Sequence, residues 1–309
     1  MLVTGASGLL GSNFITTANK RYENIIAIYN QHPINIPGTI SLEADISDEI
    51  IVDEIFSSFK PKWVIHCAAL TNVDWCEEHP KEAREFNVDV PRNLARNARL
   101  IGSKFIYIST DAIFDGSIGN YSETDETNPI NKYAESKLAG EKAVIEELNS
   151  SLVIRTNIYG WNLQNKLSIA EWILFKLEST EIVPGFYDVI FNPILVNDLG
   201  EIILNAIDQE IRGIYNIAGS QACSKYEFAQ HIANIFGLNN QLIKPISVND
   251  SKLKAVRPKN TSLQTHKICR SLHISIPNII QGLQRFKALR DSGYSNKLKS
   301  YGGDKNAQN

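Results

Sequence analysis

Three evenly spaced glycines near the start, in Thr4-Gly5-Ala6-Ser7-Gly8-Leu9-Leu10-Gly11, constrain this chain more than any other feature. They follow a short apolar run at 1–3 and precede an apolar-rich stretch at 9–21 that reads as a helix, so they occupy a strand-to-helix turn. Gly5 permits the tight turn, Gly8 lets an anion reach backbone N–H groups, and Gly11 lets the helix pack close to the strand. A dinucleotide pyrophosphate is the ligand such a turn meets, with Ser7, Leu9 and Leu10 completing the cradle. Small-residue turns also arise for packing alone, so the rest of the chain decides.

The first half alternates. Short apolar runs at 25–29, 63–67, 105–109 and 152–155 have the character of buried parallel strands, with helical stretches between them. In 83–101, Phe86, Val90, Leu94, Ala98 and Ile101 recur at helical spacing, and Gly102 supplies a stop. With right-handed crossovers this pattern predicts an α/β fold, a doubly wound parallel sheet of Rossmann type with its ligand across the carboxyl ends of the strands. After Arg155 the alternation loosens. Residues 191–195, a helix at 198–207 and a late strand at 213–218 read as a return to the first domain. The expected division is 1–158 with 191–219 as the dinucleotide-binding domain, and 159–190 with 220–289 as a smaller, discontinuous C-terminal substrate lobe. That lobe includes a helix opened by the capping-box pattern Ser224-x-x-Glu227 and closed near Gly237. The stretch 290–309, rich in Ser, Gly, Lys and Asn, reads as a mobile tail.

Composition narrows the partners. At 309 residues and 43% hydrophobic the chain builds a full core and two lobes, and a net charge of −3 gives no basic footprint for nucleic acid. No apolar run approaches membrane-spanning length, and the glycine turn starts too early for a signal peptide, so the cytoplasm is the expected compartment. Cys67, Cys76, Cys223 and Cys269 form no Cys-x-x-Cys pair and have no ligand-spaced histidines, which suggests reduced thiols and no metal. A homodimer is left open.

A carboxylate at the end of the second strand would hold the adenosine ribose of NAD and repel the extra phosphate of NADP. Here the chain reads Tyr29-Asn30-Gln31-His32, with no acid and no arginine, so the cofactor is NADP or NAD with a lean to NADP. Asp45, with Ile46, follows the third strand and is either an adenine contact or a solvated turn residue. Cys67-Ala68-Ala69 after the fourth strand offers small side chains beside a nicotinamide ribose. Tyr133 and Lys137, four apart, share one helix face, and Thr110 ends the strand preceding them. A phenol near pKa 10 becomes an acid-base catalyst when a neighbouring ammonium stabilises its phenolate, the part expected of Lys137, while Thr110 hydrogen-bonds the same substrate oxygen.

These motifs resemble those of the extended short-chain dehydrogenase/reductases. A closer similarity, to the dTDP-4-dehydrorhamnose reductase group, is carried by Ser109-Thr110-Asp111-Ala112-Ile113-Phe114-Asp115-Gly116, by Lys137-Leu138-Ala139-Gly140-Glu141 and by Arg257-Pro258-Lys259-Asn260-Thr261-Ser262-Leu263. The resemblance implies an NAD(P)H-dependent reductase of a 4-keto nucleoside-diphosphate sugar. By it Thr110, Tyr133 and Lys137 are catalytic, Gly5, Gly8 and Gly11 hold the pyrophosphate, and Asp111, Asn157 and Arg257 join Thr110 around the substrate. Trp161, Phe186 and Tyr187 are either stacking faces or core aromatics, and Arg257 is either a diphosphate clamp or the pin of a loop.

Two departures fall where the sugar is expected. Ala112 replaces the group's aromatic, and 155–160 lacks its tryptophan, which suits a different sugar. Related dehydratases place a glutamate where Ala112 stands, and alanine cannot move a proton, which favours simple reduction. An epimerase, or a binding subunit resembling the regulatory subunit of methionine adenosyltransferase, are the other readings the resemblance permits.

Overall fold

The computed structural model describes residues 1–303. Seven strands, β1 (Leu2–Thr4), β2 (Ile25–Tyr29), β3 (Thr39–Glu43), β4 (Trp63–His66), β5 (Lys104–Thr110), β6 (Leu152–Thr156) and β7 (Gly213–Asn216), form one parallel sheet in the order β7-β6-β5-β4-β1-β2-β3. Strand order reverses between β1 and β4, whose carboxyl ends therefore open a crevice. The doubly wound architecture read from the sequence is the one observed.

The strand residues alternate between two cores, as period-two pleating requires. Val3, Ile65, Ile106 and Ile154 face α1 (Leu9–Ala18) and a later helix. Leu2, Val64, Phe105 and Tyr107 face α2 (Glu49–Phe59), α3 (Val90–Ile101) and α4 (Lys132–Glu147). Helix α1 ends at Ala18, one turn short of the expected span, and the chain turns back through N–H groups of Arg21 and Tyr22 on Ala18 O. The helix expected at 83–101 is interrupted by a π-turn at Glu85–Asp89. Pro91 has no N–H to offer Asn87 O, and the Tyr107 hydroxyl donates to that oxygen instead, at 3.3 Å.

Beyond β6 lie the helices α5 (Ile169–Glu178), α6 (Val196–Asp208), α7 (Lys225–Phe236), α8 (Ile279–Asp291) and α9 (Tyr294–Lys299), with a further short helix, His266–Leu272, between α7 and α8. The segment 191–195 contributes to two short pairings outside the main sheet, Ile190–Phe191 with Cys223–Ser224 and Ile194–Leu195 with Ile158–Tyr159. Helix α7 carries both halves of the capping box read from Ser224 and Glu227, and ends at Gly237 in the left-handed region.

The mobile-tail expectation for 290–309 fails over its described part; residues 304–309 lie outside the described residues. Helix α8 continues to Asp291, Leu298 of α9 is fully buried, and the Tyr294 hydroxyl donates to Asn13 Oδ1 at 2.8 Å. The chain then pairs with the loop after β2, where Asn35 N–H donates to Tyr301 O and Gly303 N–H to Pro33 O. A single buried leucine among polar residues gave no periodicity to read.

Candidate active site

At the carboxyl ends of the strands lies a cavity of about 750 Å³, floored by β1, β2, β4, β5 and β6 and closed by 162–168 and by residues of the C-terminal segments. Gly5, Ser7, Gly8, Leu9, Leu10, Ile46, Cys67, Ala68 and Ala69 line it, as do Thr110, Asp111, Tyr133, Lys137, Asn157 and Arg257. Of the cofactor residues singled out in the sequence, two do not. Gly11 sits behind the turn, where a Cβ would meet Gly5 O at 2.2 Å. Asp45 is exposed, and its carboxylate accepts from Ser47 N–H and Oγ at 3.0 and 2.7 Å, the solvated-turn alternative.

The turn itself fits a dinucleotide. Gly5 has φ +63° and its would-be Cβ lies 2.7 Å from Ala68 N, so both backbone angle and space require glycine. Gly8 is the N-cap of α1, with no side-chain cap for the first-turn N–H groups, which leaves them for an anion. At the far side, the Thr156 hydroxyl is buried, lines the cavity and has no hydrogen-bond partner. A buried orphan of this kind marks a place where a polar ligand group belongs.

Tyr133 and Lys137 are placed by α4. Its N-cap Asn131 accepts from Ala134 N–H and donates to Val256 O, fixing the helix start against the loop that carries Arg257. Buried Asn87 ties the loop after β4 to the same helix, bonding Leu70 N–H and O and the Ser136 hydroxyl. Below them a fully buried ion pair joins Glu141 of α4 to Arg155 of β6 at 2.9 Å, with the Ser109 hydroxyl donating to the same carboxylate at 2.5 Å. Removing one partner of such a pair costs about 3–5 kcal/mol because it strands a buried charge.

Burial and the charge of Asp111 raise the Tyr133 phenol above its ordinary range, while a hydrogen bond with Thr110 works the other way. On balance the phenol is raised, against the expectation that Lys137 brings it down, because burial outweighs the lowering influences. Lys137 Nζ instead donates to Ile108 O at 2.8 Å and stands over the Tyr107 ring at 4.2 Å, and burial brings its own pKa from 10.5 down to about 7. Between those values the unfolded chain holds a proton that the folded chain has lost, so this group's contribution to stability rises with pH, and the burial cost is fully present below pH 7. Lys137→Met is thus expected to be stabilised relative to the parent at pH 6 by on the order of a few kcal/mol, and to lose most of that advantage by pH 10. Urea titrations at both pH values check this; a constant difference would contradict it.

The substrate side differs from the sequence reading in three places. Asp111 has its carboxylate occupied by Thr261 Oγ1 at 2.6 Å, Asn157 Nδ2 at 3.0 Å and Thr110 Oγ1 at 3.2 Å, and burial raises its pKa against those bonds. Arg257 is committed to Asp74 at 2.9 Å and to Ala255 O at 2.8 Å, so it enters the wall as half of an ion pair. Trp161 is buried, stacked on Phe286 with centroids 4.1 Å apart, and its Nε1 donates to Phe286 O, which makes it core and not a platform. Phe186 lies beneath Lys225, and Tyr187 is exposed.

Sequence reasoning missed Asn87, Thr156, Lys225 and Thr261 as site residues, and also the strap at 162–168. From that strap Gln164 Nε2 donates to Ser7 Oγ at 3.3 Å and Lys166 Nζ to Thr71 Oγ1 at 3.0 Å. Thr156, Lys225 and Thr261 lay inside segments already noticed, 155–160, Ser224-x-x-Glu227 and 257–263, but each for another reason.

The family described as RmlD substrate binding domain matches residues 1–290. A Haloferax volcanii protein, "Probable low-salt glycan biosynthesis reductase Agl14", is 30% identical over 290 residues, covering 93% of this chain and 96% of the relative. "Methionine adenosyltransferase 2 subunit beta" of Danio rerio is 31% identical over 276 residues, covering 87% and 83%. The crystal structure of dTDP-4-dehydrorhamnose reductase from Bacillus anthracis in complex with NADP superposes with a TM-score of 0.81 at 28% identity, covering 93% of this chain and 98% of that one.

Proposed function

This chain belongs to the RmlD substrate binding domain family, within the extended short-chain dehydrogenase/reductases, and we propose on that premise that it reduces the 4-keto group of a nucleoside-diphosphate sugar with NADPH. The observation that carries the reading is the meeting of Thr110, Tyr133 and Lys137 in one cavity with the Gly5–Leu10 turn.

When bound, a nicotinamide cofactor supplies the hydride. The protein's part is the proton. A phenol raised above its ordinary range is protonated at neutral pH, which suits reduction, where Tyr133 must give its proton to the carbonyl oxygen as negative charge develops there. Thr110 orients that oxygen. The buried Lys137 ammonium compensates the phenolate left behind, and its pKa near 7 rises as that negative charge forms. Asp111, saturated by protein donors, holds Thr110, Asn157 and Thr261 in register. The neutral end of β2, Asn30 to His32, lines the cavity and supports NADPH over NADH.

The likeness to methionine adenosyltransferase subunits favours one second reading, a binding subunit that keeps the nucleotide site without turnover. Following NADPH oxidation over a panel of 4-keto nucleoside-diphosphate sugars separates the two. Turnover of at least one member is expected, faster with NADPH than with NADH; tight cofactor binding with no turnover of any would favour the binding subunit.

A further inference from the structure

Four cationic side chains of the described residues line the cavity: Lys137, Lys166, Lys225 and Arg257. Three are engaged, Lys137 by Ile108 O, Lys166 by Thr71 and Arg257 by Asp74. Among the described residues, the Lys225 ammonium has neither a hydrogen bond nor an ion pair. Its place is fixed all the same. It opens α7 directly after the Ser224 cap, its backbone N–H donates to Val189 O at 3.0 Å, and Nζ lies 5.9 Å from the ring centres of Phe186 and Phe191. The acid that attracts it is Asp111, whose oxygens are taken by Thr261, Asn157 and Thr110, while Arg257 adds a like charge nearby.

An ammonium that packs beside two aromatic rings and opens onto the cavity with no protein anion of its own is a ready partner for an anionic ligand group. The Gly5–Leu10 turn already offers backbone donors to the cofactor's pyrophosphate, whereas Lys225 stands beside the Thr110–Asp111 end of the cavity, where the substrate is reduced. Resting on the nucleotide-sugar reading above, we propose that Lys225 anchors the substrate's diphosphate, the part the sequence had assigned to Arg257. The aromatic walls shield the contact from water and so strengthen it. Arg257 then shapes the wall through Asp74 and reinforces the positive potential without being the anchor.

The test is calorimetric titration of UDP and dTDP into the NADP⁺-loaded protein, for the parent, Lys225→Met, Lys225→Gln and Lys225→Arg. Both neutral variants are expected to bind the nucleoside diphosphate about 10- to 100-fold more weakly, the range for a hydrogen bond to a charged group, with Lys225→Arg retaining most of the affinity. NADPH affinity is expected to be unchanged in all of them. Parent-like diphosphate binding by the neutral variants overturns the assignment while leaving the substrate reading intact. Equal losses for diphosphate and NADPH overturn it as well, since Lys225 would then serve the cofactor or the fold. A parent protein that binds NADPH but neither diphosphate overturns the substrate reading together with this inference.

Discussion

Tyr133→Phe is expected to fold and bind NADPH as the parent does, and to lower kcat for the best 4-keto sugar by about 10²–10⁴-fold, the usual worth of a positioned proton donor. The loss should fall on kcat, because the deleted hydroxyl acts on an oxygen that becomes basic only as hydride arrives. The ring is only partly exposed and phenylalanine keeps it, so a thermal melt close to the parent's accompanies the loss. Single-turnover NADPH oxidation with saturating sugar measures it. A rate near the parent's would mean that the proton reaches the substrate from elsewhere, and the role given to Tyr133 would fail.

Gly8→Val is expected to abolish measurable NADPH binding while the fold persists. The backbone at Gly8, φ −77° and ψ 173°, is open to any residue, and a Cβ there meets only Gly5 O at 3.2 Å, so a modest local shift accommodates it. The side chain would then fill the space in front of the uncapped first turn of α1. Substitutions at Gly5 or Gly11 are poor tests by comparison, because a Cβ at either position runs into backbone at 2.7 or 2.2 Å and disturbs the turn itself. Fluorescence titration of NADPH checks the prediction. Parent-like affinity in a folded Gly8→Val protein would remove the pyrophosphate from this turn.

The sheet was legible because parallel strands buried on both faces are written as short apolar runs, and β2 was read to the residue. The glycine turn was legible because its geometry is local: Gly5 needs its φ and Gly11 its missing Cβ whatever surrounds them. Tyr133 and Lys137 were legible as a pair because helical spacing alone puts them on one face. The electrostatics were not. Lys137 was assigned the phenol, yet its ammonium is held by Ile108 O and the Tyr107 ring, contacts that exist only once β5 lies under α4. Arg257 illustrates the same limit, since Asp74 reaches it from 183 residues away in the chain. Asn87 was hidden for a different reason: Pro91 forces the π-turn that turns this asparagine's backbone towards Tyr107, and no periodicity marks such a defect.

The central claim is that this cavity moves hydride from a nicotinamide to the keto carbon of a sugar while Tyr133 supplies the proton. The most direct measurement uses NADPH deuterated at C4 of the nicotinamide on the face that is transferred, with a 4-keto nucleoside-diphosphate sugar, and mass spectrometry of the product. One deuterium retained at sugar C4 for each NADPH consumed is the result this account predicts. NADPH bound but not consumed, with the sugar recovered unlabelled or inverted at another carbon, would contradict it.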